Sequence, residues 1–247
     1  ANGCHVVVGT PGRVGKMLRN SVLNVEQLQV LVLDEADRML DMGFIEEVAE
    51  IVSFCEARRQ TLLFSATFPQ NVVDLSTSIQ KDPKHVTVQT KVADDDLKQG
   101  VFFCSREARQ HLVVDLLADH KPSQALVFCH TRSDCDQLTQ FLRYCGADAL
   151  SLHGQLTQGE RDGVLLQFAH QSTRVMVATN VAARGLDIPA LPLVIVSELS
   201  ADPQTHLHRI GRTGRAGEPG VALSIVASAR EGHRLEQIEA LLGASLP

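Results

Sequence analysis

Val30-Leu31-Val32-Leu33-Asp34-Glu35-Ala36-Asp37 is a run of four apolar residues followed by a cluster of three carboxylates. An unbroken apolar run this short reads as a parallel strand covered on both faces, because a buried helix needs greater length. A buried strand is therefore predicted at 30–33. Asp34 and Glu35 then lie just past its carboxyl end, the edge where open α/β sheets hold their ligands. Working outward, the same unit recurs. Further strands are predicted at 6–8, 61–64, 86–88, 100–104, 125–129, 147–150, 174–178, 193–196 and 220–226. Amphipathic helices fill the intervals at 12–20, 45–55, 71–78, 107–117, 133–145, 159–169, 205–211 and 231–242. Strands alternating with helices make an α/β fold with parallel sheets.

A length of 247 residues exceeds the usual single domain, so two domains are expected. The polar stretch 89–98, with Asp94, Asp95 and Asp96 in a row, breaks the rhythm and reads as an exposed linker. The predicted division is a first lobe over 1–90, a linker over 91–98 and a second lobe over 99–247. An apolar share of 44% supports a packed core and argues against disorder. No apolar run approaches a bilayer-spanning length and no charged-then-apolar leader opens the chain. The sequence runs almost at once into the apolar triplet Val6-Val7-Val8, which reads as the start of a fragment. A net charge of −6 argues against a protein that coats nucleic acid, yet leaves room for a local basic patch that grips RNA. Six scattered cysteines without a Cys-x-x-Cys pair read as reduced, buried thiols in a cytoplasmic protein.

Four further constellations carry chemistry. The string His208-Arg209-Ile210-Gly211-Arg212-Thr213-Gly214-Arg215 sets arginines three apart. On one helical turn they would point the same way, and forked guanidinium groups suit phosphate oxygens. Ser65-Ala66-Thr67 ends the strand at 61–64, and its hydroxyls could bond Asp37; the plainer reading is a cap for the helix near Pro69. Asp34 suits a magnesium ion and Glu35 a hydrolytic water, although acids at a strand-to-helix junction also cap helices. Thr179-Asn180-Val181-Ala182-Ala183-Arg184-Gly185-Leu186-Asp187 follows another apolar strand. Its threonine hydroxyl and backbone N–H groups could hold an RNA phosphate, with Gly185 allowing close backbone approach. Thr131, after the strand at 125–129, and Arg161, after His153-Gly154, fall on the same edge of the second lobe. Thr10-Pro11-Gly12-Arg13 offers a phosphate a hydroxyl and a charge at a helix start. Helix caps and solvated arginines are the ordinary alternatives for each.

Taken in order and spacing, these strings resemble the motifs of the DEAD-box ATP-dependent RNA helicases over almost the whole chain: Thr-Pro-Gly-Arg at 10–13, Asp-Glu-Ala-Asp at 34–37, Ser-Ala-Thr at 65–67, Val-Phe-Cys-His-Thr-Arg at 127–132, Ala-Arg-Gly-Leu-Asp at 183–187 and the arginine string at 208–215. The stretch from Ser197-Glu198-Leu199 to Arg212 is similar to bacterial members that act on large-subunit ribosomal RNA. The resemblance implies two RecA-like lobes, the first incomplete, with ATP and Mg2+ between them and single-stranded RNA across both. It implies that Asp34 and Glu35 serve the metal and the hydrolytic water, that Arg212 and Arg215 act as arginine fingers, and that Asp187 meets the ribose of ATP with Gly185 beside it. Asp37, Ser65, Thr67 and His208 would couple ATP closure to RNA. Thr10, Pro11, Gly12, Arg13, Thr131, Arg161, Thr179, Arg184 and Gly185 would hold the RNA backbone, without reading bases.

Two departures stand out. No Gly-x-x-x-x-Gly-Lys-Ser/Thr loop occurs in the sequence, and that loop is the phosphate cradle of the family. This stretch is therefore expected not to hydrolyse ATP by itself and to be a piece of an active enzyme. The competing readings are an RNA-binding scaffold that lost its nucleotide loop and a DNA helicase of similar build. The second departure is Asn180, where many members carry aspartate; little consequence is expected from it.

Overall fold

Strands of one direction, joined by helices, account for both halves of the chain in the computed structural model, which describes residues 4–57, 60–87, 96–180, 190–214 and 218–247. The chain divides into two compact units, Ala1–Val88 and Gln89–Pro247. In unit 1, α1 (Pro11–Arg19) leads to β1 (Val30–Leu33), α2 (Ala36–Asp41), α3 (Ile45–Phe54), β2 (Gln60–Leu63) and α4 (Gln70–Ile79). The two strands pair in parallel, Val30 with Gln60 through Leu33 with Leu63. Leu33 turns inward to a core with Ala36, Leu40, Val48, Val72 and Leu75. A second small core joins α1 to α3 through Leu18, Ile51 and Cys55.

Unit 1 corrects the sequence reading in several places. The run at 30–33 is a strand, but only Leu33 is buried; Val30 and Val32 are 43% and 50% exposed. Alternate side chains of a strand face opposite ways, and the face carrying these two valines is left uncovered by the described residues. The triplet at 6–8 forms no strand and its valines are exposed, because no described strand pairs with it. Residues 86–87 are likewise outside any strand, and Val88 lies outside the described residues. The short helix α2 has no counterpart among the helices predicted from sequence. Cysteines also differ from expectation: Cys55, Cys129 and Cys135 are buried, whereas Cys4 and Cys145 are exposed and Cys104 is half-buried.

Unit 2 contains β3 (Leu97–Phe103), α5 (Arg109–His120), β4 (Ala125–Cys129), α6 (Arg132–Tyr144), β5 (Ala149–Leu152), α7 (Gln158–Ala169), β6 (Val175–Thr179), β7 (Leu193–Val196), α8 (Pro203–Ile210), β8 (Gly220–Val226) and α9 (Ala229–Leu242). Its six strands are parallel, in the order β3-β8-β7-β4-β6-β5. The central strands β4 and β7 are buried throughout, as a sheet with helices on both faces requires. Along β4, Leu126 and Phe128 face one core, while Ala125, Val127 and Cys129 face the other. Helix starts are fixed by side chains: Thr131 with Asp134 and Thr157 with Glu160 form capping boxes, Asp202 caps α8 ahead of Pro203, and Ser228 caps α9. Among the described residues no helix is long and apolar enough to cross a membrane.

Candidate functional site

In unit 1 the parallel sheet delivers Asp34 and Glu35 to its carboxyl edge, and both are exposed there. The turn into α2 is made at Glu35, whose backbone is left-handed at φ 52° and ψ 49°. That conformation costs a side-chain-bearing residue roughly 1–2 kcal/mol. Backbone strain of this kind concentrates at functional sites. The Glu35 side chain makes no cap hydrogen bond to α2, so the plain capping role is not what it performs. Asp34 Oδ1 accepts the Glu35 N–H at 3.0 Å, and neither carboxylate is in an ion pair among the described residues. One or two exposed carboxylates at a strand end suit Mg2+, which keeps waters and completes its shell with substrate phosphates. Among the described residues no three metal-ligating side chains cluster, so a metal here would need those outside oxygens.

Behind this pair Asp37 is buried and held. Its Oδ2 accepts the Thr67 hydroxyl at 2.7 Å and the Thr67 N–H at 2.9 Å. The Asp37 N–H donates to Ser65 Oγ at 3.1 Å. Burial by itself would push the carboxyl upward, but the bonds from Thr67 and from the Arg38 N–H outweigh it and hold the pKa below its ordinary value. Ser65 and Thr67 thus tie the end of β2 to the start of α2. Neither caps α4, whose N-cap Pro69 receives no side-chain bond. Thr10 stands at the N-cap of α1 with Pro11 as its first residue, and its hydroxyl makes no capping bond; Thr10 and Arg13 are exposed and Gly12 half-buried.

In unit 2, Thr131 follows β4 and Thr179 ends β6, the neighbouring strand. The Thr131 hydroxyl is engaged in its capping box, which is the ordinary alternative realised. Arg161 is half-buried on α7, and its Nε is buried without a partner. His153 is buried, with Nε2 3.0 Å from Asp136 Oδ1. Arg184, Gly185, Asp187 and Arg215 lie outside the described residues.

The arginine string departs from the expected single helical face. Helix α8 ends at Ile210 with Gly211 as its cap, and Arg212 lies just past it, its N–H donating to the Arg209 carbonyl at 3.1 Å. The chain is then turned and pinned. Leu191 N–H donates to the Arg212 carbonyl at 3.0 Å, the Thr213 hydroxyl donates to the Leu191 carbonyl, and Gly214 adopts φ 61°. His208 is exposed and Arg212 half-buried, whereas Arg209 is only 2% exposed.

The buried Arg209 is the residue that sequence reasoning misses, because it groups this side chain with the other arginines. Its Nε donates to Asn180 Oδ1 and its Nη1 to the Glu198 carbonyl. Its guanidinium lies 5.5 Å from the Phe128 ring centre, and Nη2 is buried without a partner. Burial lowers its pKa to about 10. Burial, with the Arg209 charge next, lowers fully buried His206 to about 4, so its ring is neutral near pH 7. The spacing of 206, 209 and 210 on one helical face is the available signal. Asn180, expected to matter little, is thus a side-chain acceptor for a buried cation.

Comparison with known proteins places these features. Residues 1–75 match the family model of the DEAD/DEAH box helicases, and residues 108–217 match the helicase conserved C-terminal domain. The chain is 46% identical over 223 residues to ATP-dependent RNA helicase DbpA of Escherichia coli, covering 90% of this chain and 49% of that protein. It is 39% identical over 240 residues to DbpA of Bacillus subtilis, covering 97% and 50%. It therefore spans about half the length of these curated relatives. Among solved structures, S. cerevisiae Dbp5 bound to RNA and ADP BeF3 superposes with a TM-score of 0.85 at 33% identity, covering 96% of this chain and 63% of that one. The E. coli DEAD-box protein SrmB, bound to regulator of ribonuclease activity A, gives 0.58 at 32% identity, covering 61% of this chain and 88% of that one.

Proposed function

Since the chain belongs to the DEAD-box helicase family, we propose that the protein of which it forms the matched part is an RNA-stimulated ATPase that locally unwinds or remodels RNA, including ribosomal RNA, in the cytoplasm. The observation that carries this reading is the unit 1 edge: two exposed carboxylates outside any ion pair among the described residues, on a strained turn, backed by an aspartate fixed from the neighbouring strand. Asp34 would hold Mg2+, and Glu35 would orient and accept a proton from the attacking water. When bound, the metal neutralises charge on the β- and γ-phosphates. Arg212 and Arg215 would act as arginine fingers on a triphosphate, with Asp187 at the ribose of ATP. Thr10, Arg13, Thr131, Arg161, Thr179 and Gly185 would hold RNA phosphates and ribose hydroxyls. Asp37, through Thr67 and Ser65, would transmit the state of the nucleotide edge to β2, with His208 its counterpart in unit 2. ATP and RNA that favour the same arrangement tighten each other by an equal factor.

The test is steady-state ATPase of the full-length protein with and without single-stranded RNA. An arginine finger is worth roughly 10³–10⁵ in turnover in comparable phosphoryl transfers. Arg212→Ala and Glu35→Gln are each expected to abolish RNA-stimulated hydrolysis while leaving the fold intact. Wild-type turnover in either variant refutes the assignment, and equal stimulation by DNA refutes the choice of RNA.

A further inference from the structure

Strand β3 is the outermost strand on one side of the unit 2 sheet, paired only with β8 among the described residues. Along a strand, the backbone N–H and C=O groups of successive residues point to opposite sides within the sheet. The Cys104 N–H donates to the Val226 carbonyl at 3.0 Å, and the Asp96 carbonyl accepts the Gly220 N–H at 2.8 Å. Even-numbered residues of β3 therefore serve the ladder with β8, and Gln99, Val101 and Phe103 turn their backbone groups outward. A row of outward groups is a template for another strand, and natural edges are usually blunted with charge, proline or a covering segment. Here Leu97-Lys98-Gln99-Gly100-Val101-Phe102-Phe103 carries one charge and no proline. Phe102 and Phe103 stand 36% and 70% exposed.

The covering segment is the stretch after α9. Gly243 ends that helix in a left-handed conformation at φ 68°, its N–H donating to the Glu239 carbonyl at 2.9 Å. The Leu246 N–H donates to Glu239 Oε1 at 2.9 Å, and the Leu246 side chain packs against the apolar cluster that contains Leu97. The Pro247 carbonyl then accepts the Val101 N–H at 2.7 Å, the middle one of the three outward donors. Residues 243–247 thus form a strap over the centre of the edge, and Phe103 lies open beside it.

We propose that the outer edge of β3 is a pairing surface for a second copy of this chain, and that the strap 243–247 masks it. A two-fold axis through Val101 sets two copies of β3 antiparallel, so that one patch meets itself. Val101 then faces Val101 of the second copy, Gln99 faces Phe103, and the outward groups of both strands meet as hydrogen-bonded pairs. Gly100 faces Phe102, and an aromatic ring laid over an edge glycine shields its bare backbone. Lys98 faces Cys104, so no like charges meet across the pair. This match of hydrogen bonds, aromatic cover and charge in a single register is what commits the edge to a copy of itself. Pairing exchanges the Pro247 carbonyl on the Val101 N–H for a carbonyl of the second copy. The strap holds by one backbone hydrogen bond to the edge and one partly buried leucine, so it competes with pairing without forbidding it. The proposal is independent of the ATP and RNA assignments.

The test compares the 247-residue chain with one lacking residues 245–247, which keeps the Gly243 cap. Light scattering after size exclusion over a concentration series gives the dimer affinity, and backbone amide exchange is read on the same samples. The shortened chain is expected to dimerise at least roughly tenfold more tightly, since no strap has to be displaced. The Phe103 amide should gain protection as the dimer forms, and Phe103→Lys in the shortened chain, which puts a charge on the edge, should weaken pairing again. Thermal unfolding checks each variant; if the shortened chain does not fold, Leu246→Asp in the 247-residue chain releases the strap and is read by the same outcomes. Equal self-association with and without the strap overturns the proposal, as does a released chain that stays monomeric. Tighter dimers without protection of the Phe103 amide, or unmoved by Phe103→Lys, overturn it too, because they form through another surface.

Discussion

Arg209 is where three strands of unit 2 converge. Its guanidinium meets Phe128 at the end of β4, Asn180 just past β6 and the Glu198 carbonyl just past β7. It therefore joins helix α8 to Asn180, the residue that directly follows β6. A buried guanidinium with neutral acceptors and an unsatisfied nitrogen is incompletely compensated. The bond from the ionised Arg209 to Asn180 is already charge-assisted, and an ionised acceptor would add direct Coulomb attraction at this partly buried position. Asn180→Asp is therefore expected to stabilise the chain at pH 7 by on the order of 1 kcal/mol, read as a higher urea midpoint with an unchanged slope. The desolvation of Arg209 is already met in the native fold, and position 180 is only half-buried, so the new carboxylate loses little hydration. A lower midpoint would show that the amide is the better partner and that the arginine is compensated in another way.

At the scale of elements, the turn after α8 is held by backbone contact, so its weak point is a glycine. Gly220 opens β8, and a Cβ placed there would stand 1.9 Å from Thr213 Oγ1 and 2.4 Å from the Gly214 nitrogen. Both atoms belong to the turn that carries Arg212. Gly220→Ala must displace that turn or the start of β8, and a loss of about 1–3 kcal/mol is expected from overpacking of this kind. Chemical denaturation of the variant checks it. Stability within roughly 0.5 kcal/mol of the wild type, the scatter of neutral surface changes, would mean that the close approach is not needed. This contact also shows what the sequence could and could not convey. Strands β1, β4, β7 and β8 were legible to within a residue, because apolar runs and their polar stops are local signals. The bonds of Thr67 and Ser65 to Asp37 were legible in outline, since parallel neighbours bring their strand ends together. The end of α8 was legible to within a residue, but the pinned turn after it was not, because Thr213 and Gly220 meet through residues whose pairing depends on the whole sheet. The ion pair of Arg109 with Glu231 spans 122 positions, and no periodicity announces it. The triplet at 6–8 misled for the opposite reason: it has strand composition and no described strand to pair with.

Across the whole chain the two units are unequally built. Unit 2 buries a six-stranded sheet between two apolar clusters. Unit 1 has two strands among its described residues, and Val30, Val32 and Phe64 stand 43–54% exposed beside them. Burying apolar surface contributes about 25 cal/mol per Å2, so a sheet covered on one face gives up much of the term that stabilises its neighbour. Local stability follows such differences, and segments open in cooperative units from the weakest upward. Two-stranded sheets are marginal unless packed against other elements, and here α2 and α4 supply that packing through Leu33 and Leu63. Native-state hydrogen exchange on this 247-residue chain is therefore expected to rank the units. Amides of residues 30–33 and 60–64 should exchange at least roughly tenfold faster than those of β4 and β7, a gap of about 1.4 kcal/mol in opening free energy. Equal protection would mean that unit 1 opens only with unit 2 and that the exposed valines cost it nothing. Faster exchange restricted to unit 1 would also locate the proposed metal-site carboxylates on the more labile half, so that Asp34 and Glu35 owe their geometry to the short bonds around Asp37 more than to the sheet beneath them.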